Sequence, residues 1–215
     1  MNGSGSERDN GSRGYCISRS PVSGPRSRGL SGAVQLAHFF LRERLRPGDR
    51  AVDATCGNGH DTLLLAQLVG AEGRVWAFDI QEEALTATEE RLADAGCRER
   101  VTLVRGGHER LAEAVAEPVR GVVFNLGFLP GAPRETTTAP ETTLAALEQA
   151  AALLLPGGII TVAVYTGHPG GTEEARAVET WAAALAPGRF NVWRCRQGNR
   201  SEAAPYLIVV ERVPS

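Results

Sequence analysis

The sequence predicts one α/β domain, in which helices cover both faces of a mostly parallel seven-stranded sheet. Two observations support this fold class. Short strand-like runs alternate with longer stretches of helical periodicity, and the first five pairs follow one another as βα units, which require parallel strands. The last two strand-like runs lie close together in the chain and suit an antiparallel hairpin at one edge of the sheet.

The elements follow in a regular order. A first helix is expected at residues 31–45, where apolar residues recur at three- and four-residue spacings before Pro47-Gly48-Asp49. The predicted strands cover residues 50–55, 73–78, 101–104, 121–126, 158–165, 189–196 and 206–210. The other predicted helices cover residues 60–70, 81–95, 108–116, 140–155 and 172–185.

The first 28 residues differ from the rest of the chain. They are rich in Ser, Gly and Arg and contain few large apolar side chains. Burial of so little apolar surface would not offset the entropy lost on ordering. We therefore expect a disordered arm at 1–28 and a folded domain at 29–215. The arm's arginines could contact RNA phosphates, and a transit peptide, a misassigned start codon or a solvated tail without a role are the alternatives.

Composition narrows the class of protein. No apolar run reaches the roughly 18 residues that a membrane helix needs, so a soluble, cytoplasmic protein is expected. The net charge of −2 does not indicate a generally basic nucleic-acid binder, although a local basic patch remains open. The four cysteines are scattered without a CxxC pair, so no metal site is expected.

The end of the first predicted strand carries the clearest motif, Val-Asp-Ala-Thr-Cys-Gly-Asn-Gly-His-Asp-Thr at 52–62. Gly57 and Gly59 allow a tight turn and close approach of a ligand to the backbone, beside the N–H groups of the next helix. Thr62 stands where a dinucleotide-binding fingerprint has its third glycine, which disfavours NAD. The carboxylate of Asp53 suits the ammonium of a methionine moiety and would repel a pyrophosphate. The motif therefore predicts an S-adenosylmethionine site.

The next two strands extend this predicted cofactor site. Asp79 ends the second strand 20 residues after Gly59, about where a carboxylate binds a ribose diol, although it could instead cap the following helix. Gly107 and His108 follow the third strand and should flank the adenine. The further residues assigned to the cofactor are Thr55, Asn58, Asp61, Thr62, Gln81 and Asn125.

The fourth strand leads into a predicted acceptor loop, Asn-Leu-Gly-Phe-Leu-Pro-Gly at 125–131. It resembles the Asn-Pro-Pro-Tyr loop of amino-methyltransferases, in which the Asn accepts a hydrogen bond from the target amine and an aromatic ring stacks on the base. Asn125 and Phe128 match those two roles and make Asn125 a catalytic candidate. The alternative is a turn-capping Asn125 and a core Phe128.

His168 is the second catalytic candidate, because it lies between flexible glycines just after the fifth strand. An imidazole titrates near neutral pH and could take a proton from an ammonium acceptor, although a purely structural histidine fits equally well. The residues assigned to substrate binding are Gly127, Phe128, Gly131, Thr137, Tyr165 and His168.

Four stretches together resemble the rRNA methylase family of YtqB/MnmM-like proteins over residues 38–210. They are the two loops described above at 53–62 and 125–131, with Phe-Asp-Ile-Gln at 78–81 and Gly-His-Pro-Gly-Gly at 167–171. The resemblance implies a Rossmann-like class I methyltransferase that forms a homodimer and binds the anticodon region of tRNA. It also implies N-methylation of the 5-aminomethyl-2-thiouridine at the wobble position.

Other functions stay open at this point. A methyltransferase acting on rRNA, a protein or a small molecule fits the near-neutral charge, and the chain also departs from the family pattern after Gly131. A non-catalytic Rossmann module would retain Asp53 and Asp79 but would not need the acceptor loop. A nicotinamide oxidoreductase is disfavoured by Thr62.

Overall fold

The computed structural model describes residue 1 and residues 31–127 and 138–214. In these ranges the strands are β1 (Arg50–Asp53), β2 (Arg74–Asp79), β3 (Val101–Arg105), β4 (Val119–Asn125), β5 (Leu154–Val164), β6 (Phe190–Cys195) and β7 (Tyr206–Arg212). The helices are α1 (Ala33–Arg44), α2 (His60–Val69), α3 (Glu82–Asp94), α4 (Leu111–Ala114), α5 (Pro140–Leu153) and α6 (Gly171–Ala184).

The strands form one sheet in the order β3-β2-β1-β4-β5-β7-β6. The first five strands are parallel, and β7 runs antiparallel between β5 and β6. Val52 at the centre pairs with Trp76 on one side and Val122 on the other. The predicted fold class is confirmed. The strand order reverses between β1 and β4, and in open α/β sheets ligands bind in the crevice beyond the carboxyl ends of the strands at such a switch point.

Each face of the sheet buries a separate apolar layer. On one face Ala51 and Val75 pack with Leu41, Leu65 and Leu92 from helices α1, α2 and α3. On the other face the side chains of alternate strand positions pack against α4, α5 and α6. That layer includes Val52, Phe78, Phe124, Leu147 and Val178. Burial of each large side chain contributes about 1.5–3 kcal/mol, so both layers hold the strand ends in position.

Two elements differ from the predicted bounds. Strand β5 begins at Leu154, four residues before the predicted start, because Leu154 pairs with Val119 before the ladder shifts register towards Gly121. The stretch predicted as a helix at 108–116 is a 3₁₀ turn, His108–Arg110, followed by the four-residue α4. Apart from residue 1, the predicted arm at 1–28 lies outside the described residues.

Two further features concern only the described ranges. They contain no helix that is both long enough and apolar enough to cross a membrane. Nor do they bring together three or more side chains of the His, Cys, Asp or Glu type in a geometry that could hold a metal ion.

The glycine turn after β1 packs tightly against α3, and this contact can be tested. Gly59 has a φ of 76°, and a Cβ there would lie 2.8 Å from the Thr88 Cα. Gly96 has a similar φ of 63° but open space around it. Both alanine variants carry the strain of a left-handed backbone, so the difference between them isolates the steric clash.

We expect Gly59→Ala to lower the free energy of unfolding by about 1–3 kcal/mol more than Gly96→Ala, which is the usual cost of overpacking. Urea unfolding of the two variants beside the unmodified protein measures this difference. Equal losses would mean that α3 yields to the added methyl group.

Candidate functional site

The carboxyl ends of β1, β2, β4 and β5 bring several polar side chains to one edge of the sheet. The turn after β1 is built on Gly57 and Gly59, whose φ values of 50° and 76° are left-handed and favour glycine. The Cys56 N–H donates to the Phe78 carbonyl, which attaches the turn to β2. Gly59 is the N-cap residue of α2, which begins at His60, so the first N–H groups of α2 lie directly beside the turn.

Asp79 connects this turn to the end of β2. Its Oδ2 accepts a hydrogen bond from the Gly57 N–H at 3.0 Å, and its Oδ1 accepts from the Gln81 N–H at 2.9 Å. The alternative role as a helix cap does not hold, because α3 begins at Glu82 with Gln81 as its cap residue. A half-buried carboxylate beside a glycine turn is well placed to accept from a ribose diol.

Asp53 is fully buried at the end of β1. One oxygen accepts from the Thr55 N–H at 3.2 Å, and the other accepts from the Thr62 hydroxyl at 2.6 Å. Thr62 therefore has a structural use at the position where a dinucleotide-binding turn has glycine. Burial, and after it the nearby charge of Asp61, together raise the pKa of Asp53 to about 7, although these hydrogen bonds act to lower it. The carboxylate orders the loop, and its contact with a ligand ammonium stays a prediction.

A second polar cluster joins α1, α2 and β4. Asp61, in the first turn of α2, accepts from the His38 Nε2–H at 2.5 Å through Oδ1. Its Oδ2 accepts from the Asn125 side-chain amide at 3.5 Å. The backbone N–H of Asn125 donates to the Thr55 hydroxyl at 2.7 Å. Burial, and after it the charge of Asp61, raise the pKa of Tyr165, which follows β5. Asp61 thus lies beside Asn125, on the predicted acceptor side of the site.

Two buried histidines lie near these clusters. His108 is close enough to the Ala54 carbonyl, at 3.2 Å, to donate from Nδ1, and its ring packs edge-on against Phe124. Burial lowers the pKa of His108, which favours the neutral ring. The Nδ1–H of His168 donates to the Pro169 carbonyl at 3.0 Å. A Cβ at Gly171 would come within 2.8 Å of His168 Nε2, so the start of α6 packs closely on this ring.

Glu174 of α6 forms a polar contact that sequence reasoning missed. Its carboxylate is 1% exposed and accepts from the hydroxyls of Thr138 at 2.8 Å and Thr143 at 2.7 Å. Thr138 is in turn joined to Gly127 by two hydrogen bonds, one through its hydroxyl and one through its N–H. Glu174 therefore fixes the end of the β4 segment against α5 and α6.

The structure brings together most of the residues predicted for the site, although their contacts differ from expectation. One edge of the sheet carries Asp53, Asp61, Asp79 and Asn125. The side chains of Asp53 and Asp61 are buried there, and those of His108 and His168 are buried as well. Asn58 is held by its backbone carbonyl, which accepts from Arg91 at 2.6 Å. Gly107 caps the 3₁₀ turn that carries His108. The residues Phe128, Gly131 and Thr137 lie outside the described residues.

His38 and Glu174 were not predicted, because neither lies in a motif. His38 is 23 residues from its partner Asp61, and Glu174 is more than 30 residues from either threonine. No local spacing marks such pairs. The one available signal is a polar residue on the mainly apolar face of a predicted helix.

Comparison with known proteins places this geometry among methyltransferases. The model of a family described as "Putative rRNA methylase" matches residues 75–211, and that of protein-L-isoaspartate(D-aspartate) O-methyltransferases matches residues 28–116. A chloroplastic tRNA (mnm⁵s²U34)-methyltransferase of Arabidopsis thaliana is 40% identical, over 84% of this chain and 69% of its own length.

Solved structures agree with the sequence comparison. A "putative rRNA-methylase" of Clostridium thermocellum is 40% identical and superposes with a TM-score of 0.83, covering 85% of this chain and 98% of its own. A "putative methyltransferase" of Streptococcus mutans, solved in complex with SAH, is 36% identical with a TM-score of 0.77, covering 84% and 98%.

The raised pKa of Asp53 predicts a pH dependence of stability. The folded protein holds this proton up to about pH 7, whereas an unperturbed aspartate releases it near 3.8. The free energy of unfolding should therefore fall as the pH rises from about 4 to about 7, because only the folded state resists ionisation. At about 1.4 kcal/mol per pKa unit, we expect Asp53 to account for about 2–4 kcal/mol of that fall.

Urea unfolding of the unmodified protein and of Asp53→Asn at several pH values measures this contribution, because other titrating groups cancel in the difference. The asparagine carbonyl can still accept from Thr62. The variant's profile should be flatter over this range. Two parallel profiles would mean that Asp53 ionises as readily in the folded protein as in the unfolded chain.

Proposed function

Since the chain belongs to the "Putative rRNA methylase" family and is an S-adenosylmethionine-dependent methyltransferase, we propose that it methylates the amine of a 5-aminomethyl-2-thiouridine at tRNA position 34. The relative from Arabidopsis thaliana, which is named for this wobble uridine, supports the substrate. A wobble base is unpaired, so its exposure to an active site costs little unstacking energy.

The placement of Asn125 is the observation that carries the proposal for an amine acceptor. Asp61 accepts from the side-chain N–H of Asn125, so the amide carbonyl is left to accept from another donor. An acceptor amine is such a donor, and a hydrogen bond would hold its lone pair in a fixed direction. Asn125 ends β4, directly beside β1 and its glycine turn.

The residues present fit the cofactor. Its sulfonium supplies the electrophilic methyl group, and its ammonium is a second positive charge. Asp61 and Asp79, together with Asp53 once it is ionised, give this edge of the sheet a negative potential that complements both. We assign the ribose to Asp79 with Gln81 beside it, and the adenine to the segment of Gly107 and His108.

In this proposal the protein contributes mainly position. An amine and a methyl donor that are bound side by side react faster, because the entropy of bringing them together is already lost on binding. This effect can lower the activation barrier by up to about 7–11 kcal/mol. We assign the acceptor side to Asn125, Gly127, Tyr165 and His168, together with Phe128, Gly131 and Thr137. Residues 29–215 would form the catalytic domain, with the arginines of residues 1–28 available to RNA phosphates. The homodimer and the cytoplasmic location stay predictions.

The second candidate is a small-molecule or protein amine, which the net charge of −2 favours over a polyanion. Salt dependence separates the two, because phosphate contacts make affinity fall steeply with added salt. The direct test is transfer of a radiolabelled methyl group to tRNA that carries unmethylated 5-aminomethyl-2-thiouridine. Label at position 34 is expected, with fully modified tRNA as the control. Saturable cofactor binding without transfer to either tRNA would reject the proposed substrate.

Asp79→Ala should weaken cofactor binding at least about tenfold, because one charge-assisted hydrogen bond alone is worth about 1.5–3 kcal/mol. Calorimetric titration with S-adenosylmethionine measures the change. Arg105→Ala is the matched control, since Arg105 is exposed at the end of the neighbouring strand β3. Unchanged affinity in Asp79→Ala would remove the carboxylate from the cofactor site.

Asn125→Ala should reduce turnover about 10–100-fold, the size of loss that misplaced reactants produce, and should reduce cofactor affinity less than turnover. Single-turnover transfer to tRNA measures this separately from binding. Asn125→Asp is a useful companion, because it keeps an acceptor oxygen while placing a second carboxylate beside Asp61. Normal turnover in the alanine variant would contradict the role in amine orientation.

A further inference from the structure

His38, Asp61 and Asn125 form one hydrogen-bonded cluster at the predicted acceptor side of the site. The carboxylate of Asp61 joins a histidine through one oxygen and the predicted amine-orienting amide through the other. His38 therefore lies one carboxylate away from Asn125. Its side chain is 27% exposed, so it can exchange protons with solvent.

We propose that His38 is the proton acceptor of the reaction and that Asp61 orients its ring, an inference that rests on the proposed function. A primary alkyl ammonium resembles a lysine side chain and is almost fully protonated near neutral pH, so it has no lone pair for attack. A neutral imidazole beside the acceptor can remove that proton as a general base.

The hydrogen bonding of His38 defines the form of the ring. A carboxylate can only accept, so the Nε2 of the neutral ring carries the proton and donates to Asp61. Nδ1 is then the basic atom, and it has no hydrogen-bond partner among the described residues. Asp61 also stabilises the imidazolium that forms, which is the role of a carboxylate behind a catalytic histidine.

The other histidine predicted at the acceptor is less suited to this task. His168 is buried, and its Nδ1–H donates to the adjacent Pro169 carbonyl. Its ring is enclosed by the backbone at Gly127 and Gly171. These contacts place the His168 ring against Gly127, just after β4, and against Gly171, whereas His38 has both solvent access and a carboxylate partner.

The proposed reaction has two steps. The acceptor ammonium transfers one proton to Nδ1 of His38 and becomes a neutral amine. The amine lone pair then forms the N–CH₃ bond as the S–CH₃ bond breaks, and the sulfur keeps the bonding electron pair. The product is a protonated secondary amine, and the imidazolium returns its proton to solvent.

The groups that face His38 determine how a pH profile is interpreted. Asp61 faces it from α2, and the charge of Asp61 in turn acts on Tyr165 after β5 and on Asp53 at the end of β1. Arg42 lies one turn further along α1 and is exposed. Tyr165 has its pKa raised above the ordinary value of 10, so it does not titrate near neutral pH.

The test is the pH profile of methyl transfer by the unmodified protein and by His38→Gln, whose amide can still donate to Asp61 but cannot take a proton. General-base catalysis contributes about 10²–10⁴-fold, so a loss of at least about 100-fold is expected at pH 7. The loss should shrink about tenfold for each further pH unit, because solvent then supplies the neutral amine.

Two controls keep the test specific. Glu43→Gln lies on the exposed side of α1 and should behave as the unmodified protein. Cofactor affinity and thermal unfolding of His38→Gln should be unchanged, and His38→Asn serves as a second variant if the first fails to fold.

The outcomes distinguish a failure of the inference about His38 from a failure of the proposed function. A defect in His38→Gln that is the same at every pH, or no defect, would overturn the role of His38 while the proposed function stands. A failure of the unmodified protein to methylate tRNA would overturn the proposed function, and the inference with it. A defect that shrinks with rising pH supports both.

Discussion

The buried carboxylate of Asp53 is the constraint on which the rest of the site depends. Its two oxygens hold the Thr55 N–H and the Thr62 hydroxyl, so they fix both the start of the glycine turn and the first turn of α2. Thr55 then accepts from the backbone of Asn125, and the first turn of α2 carries Asp61. One buried acidic group thereby sets the positions of the glycine turn, where we propose the cofactor binds, and of the cluster around Asn125.

This arrangement orders the site but lowers the stability of the folded protein. Burial of a carboxylate beside Asp61 is unfavourable, and the raised pKa of Asp53 is the measure of that cost. In the proposed cofactor site, the sulfonium and ammonium of a bound cofactor would offset the repulsion between Asp53 and Asp61. The apolar layers on either face of the sheet supply the stability that offsets the cost of burying these carboxylates.

The acceptor side depends on different contacts. Glu174 holds two threonine hydroxyls from α5 and from the segment before it, and Thr138 closes onto Gly127 at the end of β4. The cofactor side and the acceptor side thus have separate polar supports that meet at Asn125. The model of the isoaspartate methyltransferases matches residues 28–116, a range that contains the glycine turn and ends before β4.

The sequence by itself determined the succession of strands and helices along the chain. It also determined the glycine turn and the acidic residues at the ends of β1 and β2. Those features depend on residues close together in the chain, because strand periodicity and turn chemistry are local properties. The family resemblance added the substrate class, which no local pattern indicates.

Only the tertiary structure decided which side chains share a hydrogen bond. His38 meets Asp61 across 23 residues, and Glu174 meets Thr143 across 31, because packing of the helices on the sheet brings their faces together. It also showed that the Thr62 hydroxyl donates to Asp53 and that the Asn125 side-chain amide donates to Asp61. Long-range contacts of this kind depend on how whole elements pack, and the spacing of residues along the chain carries no record of that packing.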